Sequence, residues 1–451
     1  MSHDSTSPSL DETRPLLSSG ATPTPRRDDD LLTAADSSLA VAREDDCPRV
    51  TSASLRIGTT MLCFIVLGMF NAPIGVVLPP LKEYYHLDDL RLSLIFLAPP
   101  VGYVLASQFN RYIHLEFGQR GIAFIGPLFH LLYAVVASCH PSFPLLLAAV
   151  AAGQVGTGVL DASWCTLAAA QEKANTVSGL LHGSYSAGAA IGPFFASTLV
   201  YAARKPWYSW YYVMGAVSLV EMAVLVFAFR HEGAARYRQD KPQLSNDDGF
   251  LAHARELLTR RATWFSAIYL LTYVGTELAV SDWLVVFLIR IRGTTPYQAS
   301  MCLTAFWIGM AIGRLVLGYP TDRIGVRRAT AAYLVIALAL QALFIIIKVD
   351  TVTVILMALL GFFCGPLFPS CIVCMNQLLP RELHVSAVSF VASAGQIGGA
   401  VLPFVLGALA NSVGIKVYQI MKRTFSFQYL AVSDLGKFVT TAAGPPLAVH
   451  G

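Results

Sequence analysis

Forty consecutive residues, 121–160, contain no Asp, Glu, Lys or Arg, and this run recurs in shorter form along the chain. Residues 57–81, 92–110, 174–203, 293–313, 329–347, 351–380 and 385–415 are also charge-free. A helix needs about 20 mostly apolar residues to cross a bilayer, so each run is the length of one crossing. The longest is too long for one, and His140-Pro141-Ser142 divides it into two. Two further apolar stretches carry acids: 208–229 contains Glu221, and 263–289 contains Glu277 and Asp282. Eleven spans are expected. Only 13% of the 451 residues are charged, about half the soluble norm, which excludes an ordinary soluble enzyme.

The spans fall into two groups. Residues 1–56 are polar, rich in Ser, Thr, Pro and Asp, and read as a disordered cytoplasmic tail without a signal peptide. Six spans follow in 57–229, then a charged connection at 230–262, then five spans in 263–415, and an atypical tail at 416–451. The expected fold is all-α: two pseudo-symmetric transmembrane bundles, six helices and five, with the twelfth missing or aberrant. Two bundles that rock on each other need a slack tether, and the long middle connection has that character. With the N-terminus in the cytoplasm, twenty Lys and Arg fall in cytoplasmic segments against seven opposite, which sets the expected orientation.

An internal echo supports the doubling. Gly318-Tyr-Pro-Thr-Asp322-Arg323-Ile-Gly325-Val-Arg327-Arg328 follows the eighth span, and Phe117-Gly118-Gln119-Arg120, a worn copy, follows the second. The full GxxxDRxGxRR resembles the signature loop of the major facilitator superfamily. That resemblance implies a cytoplasmic latch made by Gly318, Asp322, Arg323, Gly325, Arg327 and Arg328, with Arg314 counted beside Asp322; a basic loop with a helix cap is the plainer alternative. Further strings narrow it. Gly156-x-Gly158-x-x-Asp161-Ala162-x-Trp164, the run from Gly179 through His182 and Tyr185 to Gly192-Pro193, Tyr273-Val-Gly275-x-Glu277 followed by Trp283, and Pro403-Phe-x-x-Gly407-Ala occur in order. Together they resemble the fucose-permease-like branch in its fungal form, over about residues 57–420. The resemblance implies secondary active transport of a small polar solute, a sugar in many members, often with a proton.

Ionisable groups inside hydrocarbon cost ~2.5–3.5 kcal/mol or more, so they normally border a polar cavity. Glu277, near the middle of its span, is the first candidate for proton carriage or substrate contact. Asp161 shares a helical face with Gln154, Gly158 and Cys165; it serves the path or only bonds a neighbouring helix. Asp282 is five residues beyond Glu277, about 140° round the helix, and reads as a mouth residue that departs from the family. His182 and Tyr185 are i, i+3 neighbours beside two GxxxG pairs, 179/183 and 188/192, that read as close-packing seams. Trp164 and Trp283 are candidates for stacking on a sugar or for packing, and Gln154, Asn376 and Gln396 for hydrogen-bonding hydroxyls or other helices. Glu221 reads as structural. Asn71 stands where resembling proteins often have Asp; it cannot carry a proton, so Asp161 or Glu277 must supply any coupling.

After residue 415 the text departs from the resembling proteins. Lys416-Val-Tyr-Gln-Ile-Met-Lys422-Arg423 begins a stretch with no crossing-length apolar run, as a frame shift or retained intron would produce. The expected function is an alternating-access carrier, with or without proton coupling. The alternatives are an exporter of a secondary metabolite, a non-transporting membrane sensor and an inactive truncated product. No P-loop, dinucleotide fingerprint, zinc spacing or nucleophile elbow is present, so no enzyme, cofactor or metal is expected. Expected partners are a small-molecule substrate, H+ if coupling survives, and the lipid bilayer. No nucleic acid is expected, and the chain reads as a monomer. Cys371-Ile-Val-Cys374 lies in an apolar helix and reads as packing. Glu12-Thr-Arg-Pro-Leu16-Leu17 matches an acidic dileucine signal, or does so by chance. The membrane is therefore read as plasma, vacuolar or endosomal.

Overall fold

In the computed structural model the described residues are 52–171, 174–240, 256–379 and 384–421. The tail at 1–50, with its dileucine match, lies outside them, as do 422–451. Every described element is a helix. The first half contains α1 (Ala53–Asn71), α2 (Ile74–Tyr84), α3 (Asp89–Ser93), α4 (Ala98–Ser138), α5 (Phe143–Ala169), α6 (Ala174–Ser197) and α7 (Ser209–Ala228). A short α8 (Ala234–Asp240) follows. The second half contains α9 (Arg261–Phe287), α10 (Pro296–Val316), α11 (Gly318–Ile324), α12 (Val326–Ile346), α13 (Asp350–Cys364), α14 (Leu367–Leu378) and α15 (His384–Val413).

Nine segments among the described residues are long and apolar enough to cross a membrane. They coincide with nine of the eleven expected spans. The other two, in α6 and α9, form helices of 24 and 27 residues and are not among the nine. One span is the pair α1–α2, broken at Ala72 and Pro73. Pro73 has no N–H to donate, so the ladder stops there and Asn71 becomes the last residue of a half-helix. α4 holds two spans merged across Gly118, whose φ of 70° turns the chain.

Backbone approach sets the central packing. A side chain at Gly188 of α6 would strike the Ile65 carbonyl of α1, and one at Gly192 would strike Pro73. The 188/192 pair is thus the seam the spacing predicts. The 179/183 pair is not: Gly179 has open space and Gly183 meets only the end of Leu315. α6 lies along α1 over its second half and leaves it toward its start.

The two halves meet along α6 and α10, and again where α2 packs on α9 and α3 on α15. Gly75 lies against Ser281 and Asp282, and Gly407 against Ser93 and Trp283. At this end, opposite the basic loops, Tyr85 donates to the Pro141 carbonyl at 2.5 Å. Burial raises its phenol to about 12, so it stays protonated and donating at physiological pH.

The middle connection departs from a slack tether in its first residues. The Arg120 N–H donates to the Glu232 carbonyl at 3.0 Å, Arg56 donates to the Glu232 carboxylate at 2.8 Å, and Arg236 lies 3.3 Å from it. The Tyr237 ring stacks on His114 at 4.7 Å. Residues 230–240 are therefore docked on the first half. The start of the atypical tail also packs: Ile415–Met421 forms a 3-10 helix, and Tyr418 is buried, stacked on Phe287 at 4.6 Å and donating to the Val280 carbonyl.

Gly188→Leu forces a side chain into the backbone of α1. Overpacking of this kind costs ~1–3 kcal/mol. The expected result is a clear fall in the melting temperature and monodisperse yield of the purified protein; Gly179→Leu should leave both near the parent values.

Candidate functional site

Three helices of the first half bring polar side chains to the seam. Asn71, freed at the broken end of α1, accepts a 2.7 Å hydrogen bond from Gln154 Nε2 of α5, and Tyr185 of α6 lies against the same end of α1. From the second half, Arg314 of α10 donates 2.6 Å to Ser186 Oγ of α6 and has its Nη2 3.7 Å from Glu277 Oε1 of α9. Its Nε reaches the Gly365 carbonyl at 3.4 Å, at the break between α13 and α14. Glu277 also interacts with Tyr273, whose hydroxyl donates to the Cys364 carbonyl at 2.7 Å. One guanidinium thus binds a carboxylate of its own half and a hydroxyl of the other.

A second carboxyl lies along α5. The Tyr103 hydroxyl donates to Asp161 Oδ2 at 2.5 Å, and the Cys165 thiol to Oδ1 at 3.4 Å. Asp161 is half-buried. His182 of α6 is exposed, with its ring between Phe64 of the first half at 5.9 Å and Phe368 of the second at 6.4 Å. Asp161 and Arg314 both interact electrostatically with it. The polar side chains thus form three sets of contacts, Asn71–Gln154, Arg314 with Glu277 and Ser186, and Asp161–Tyr103.

Other expected residues go elsewhere. Arg314, read with the latch, is found with Glu277 and Ser186. Asp282 is no open mouth residue: it is 5% exposed, bonded to Ser281 Oγ at 3.2 Å and covered by α2. The unbroken α9 turns it away from Glu277. Trp164 is buried and stacked on Phe229 at 4.5 Å, and Trp283 is buried with Nε1 donating 3.0 Å to the Pro403 carbonyl. Both pack between helices. Gln396 is exposed on α15. The side chains of Asn376 and Asp322 lie outside the described residues. Gly318 begins α11, Gly325 turns the chain at φ 90°, and Arg323, Arg327 and Arg328 are exposed, with Arg323 over the Tyr319 ring.

Sequence reasoning missed an ion cluster at the face opposite the basic loops. Asp89 of α3 receives Arg290 Nη1 and Nη2 at 2.7 and 2.9 Å, and Lys82 of α2 at 2.5 Å. Arg290 follows α9, so the cluster ties the halves together. A cavity of about 410 Å³ lies against it, lined in part by Lys82, Glu83 and Arg290. The signal was visible as the acids Glu83, Asp88 and Asp89 between Lys82 and Arg91, but only the fold pairs residue 89 with 290. Tyr103 and His130 were missed because neither lies in a motif string and only the fold brings them to Asp161 and Glu221.

The sequence model described as the Major Facilitator Superfamily matches residues 60–403. The chain is 28% identical over 396 residues to Bypass of stop codon protein 6 of Saccharomyces cerevisiae, covering 81% of this chain and 79% of that protein. It is 23% identical over 399 residues to a glucose/galactose transporter of Brucella abortus, covering 83% and 92%. Among solved structures it resembles the nucleoside transporter NupG (TM-score 0.67, 13% identity, 86% of this chain and 100% of that). It also resembles the E. coli fucose:proton symporter FucP (TM-score 0.59, 17% identity, 85% and 98%). At these identities the solved structures show a shared fold.

Asp89→Asn weakens the cluster that joins the halves. A cysteine placed at Ser281, on the covered seam, should react with a membrane-impermeant maleimide about tenfold faster in that background, a shift of ~1.4 kcal/mol toward the open form. An unchanged labelling rate would show that the cluster does not hold the seam closed.

Proposed function

Because the chain belongs to the Major Facilitator Superfamily, and is a multi-pass membrane transporter rather than an enzyme, we propose that it carries a small polar solute, a sugar or related polyol, by alternating access. The observation that carries this reading is Arg314, held at once by Glu277 in its own half and Ser186 in the other. A charge placed there is sensitive to any relative movement of the halves. Amide and phenol groups of Asn71, Gln154 and Tyr185 beside it offer donors and acceptors suited to hydroxyls. Relatives named as glucose/galactose transporters support the sugar class, as does the similarity to a solved D-xylose-proton symporter. The motif order supports the fucose-permease-like branch.

The arrangement reads as closed outside and open inside. Asp89, Arg290 and Lys82 fasten the side read as outer, while His182 and Asp161 keep accessible surface on the other. Glu277 is the proton-carrying group in this reading. Proton uptake removes its charge, weakens its hold on Arg314, and leaves the guanidinium to Ser186 and the Gly365 carbonyl. Asp161, with Tyr103, is a second titratable station nearer the basic face. The 318–328 turn serves as the latch, and the N-terminus is cytoplasmic. We place the protein in the plasma membrane or a vacuolar or endosomal membrane, as a monomer.

The test is uptake of D-galactose, D-glucose and L-fucose into vesicles containing the purified protein, with and without an inward proton gradient. Gradient-driven accumulation is expected, and Glu277→Gln should abolish it while sugar exchange without a gradient persists. Equal accumulation by the variant would remove Glu277 from coupling. An absence of flux for sugars and polyols would overturn the sugar-carrier reading.

A further inference from the structure

The first half encloses a second acid–base pair that the transport path leaves unused. His130 of α4 and Glu221 of α7 have side chains 1% and 0% exposed, with Nδ1 3.0 Å from Oε2. His130 Nε2 is 3.2 Å from Thr157 Oγ1 of α5, whose hydroxyl donates to the Gly153 carbonyl at 3.4 Å. Both ring nitrogens of His130 therefore have a partner, each from a different neighbouring helix.

Its position matters more than its charge. The Phe70 ring of α1 lies on the His130 ring, centroids 4.7 Å apart. Phe70 precedes Asn71, at the end of a half-helix whose ladder stops at Ala72 and Pro73. The backbone beyond Asn71 therefore does little to fix its side chain. On the other side, Thr157 is three residues after Gln154 on α5, close to one turn. The imidazole thus touches both helices whose next polar residues make the 2.7 Å Asn71–Gln154 bond.

We infer that His130, held by Glu221, is a positioning residue that sets the Asn71–Gln154 pair at the substrate path. The inference rests on the reading of that pair as part of the path, but the placement can be tested without any substrate.

In a variant lacking native cysteines, Asn71→Cys and Gln154→Cys put two thiols where the amides meet, and copper-phenanthroline oxidation reports their approach. His130→Ala should slow disulfide formation by about tenfold or more, the scale on which small misplacements act. Glu221→Gln, whose amide can donate to or accept from Nδ1, should stay near the parent rate, whereas Glu221→Ala should fall with His130→Ala. Monodispersity and melting temperature identify variants that have not folded, and Thr157→Val then provides the test from the α5 side. Parent-like crosslinking in His130→Ala and Glu221→Ala, or in Thr157→Val where those do not fold, overturns the inference. In the otherwise native protein, Glu221→Ala should raise the KM for D-galactose with little change in maximal rate. If the parent moves no galactose yet crosslinking depends on His130, the sugar reading fails and the positioning role stands.

Discussion

A charge inside hydrocarbon has to be met by a partner from another helix, and that requirement organises this protein. Among the described residues, three ionisable groups within the spans are met in that way, while the buried Asp282 bonds Ser281 of its own helix. Arg314 is met by Glu277 and Ser186, Asp161 by Tyr103, and Glu221 by His130. Each contact joins two helices, so the same groups that are costly to bury also fix helix positions. Their distribution is uneven. The His130–Glu221 pair lies wholly within one half, whereas Arg314 bridges the two. The first suits a rigid body, and the second suits a joint between rigid bodies.

The helices themselves were legible because charge-free length is a direct physical requirement for crossing a bilayer. Nine of the expected spans coincide with segments long and apolar enough to cross. The partners were less legible. Asp322 is close to Arg314 in sequence, yet the structure places Glu277, from another helix, beside the guanidinium. Asp89 and Arg290 are 201 residues apart and meet only because the two halves close on each other. Local spacing contains no information about such meetings. It left Trp164 and Trp283 open between stacking on a sugar and packing, since a large aromatic on a helix suits either, and both fill a groove between neighbours. The GxxxG reading was right where α6 lies on α1 and wrong where the two helices part, a distinction of geometry that spacing alone does not contain.

Glycine contact and helix breaks act together around the polar region. Gly188 and Gly192 allow α6 to lie on α1 and Pro73 without intervening side chains, which brings Tyr185 to the interrupted end of α1. The break at Pro73 supplies a half-helix end enclosed by protein, and the one near Gly365 frees a carbonyl for Arg314. Polar backbone is thereby used only where protein surrounds it. Binding chemistry and close packing are in this sense two results of the same few small residues.

Docking of residues 230–240 on the first half changes how the two halves are mechanically joined. With Glu232 gripped by Arg56 and by the Arg120 amide, the anchorage of the connection is set beside the entrance to the third span rather than at the end of the sixth. A pull arriving through the link would be felt first at Gly118, where the chain already turns sharply. Strain from one half rotating would then converge on the turn between the second and third spans, making this small corner the protein's stress-bearing hinge point.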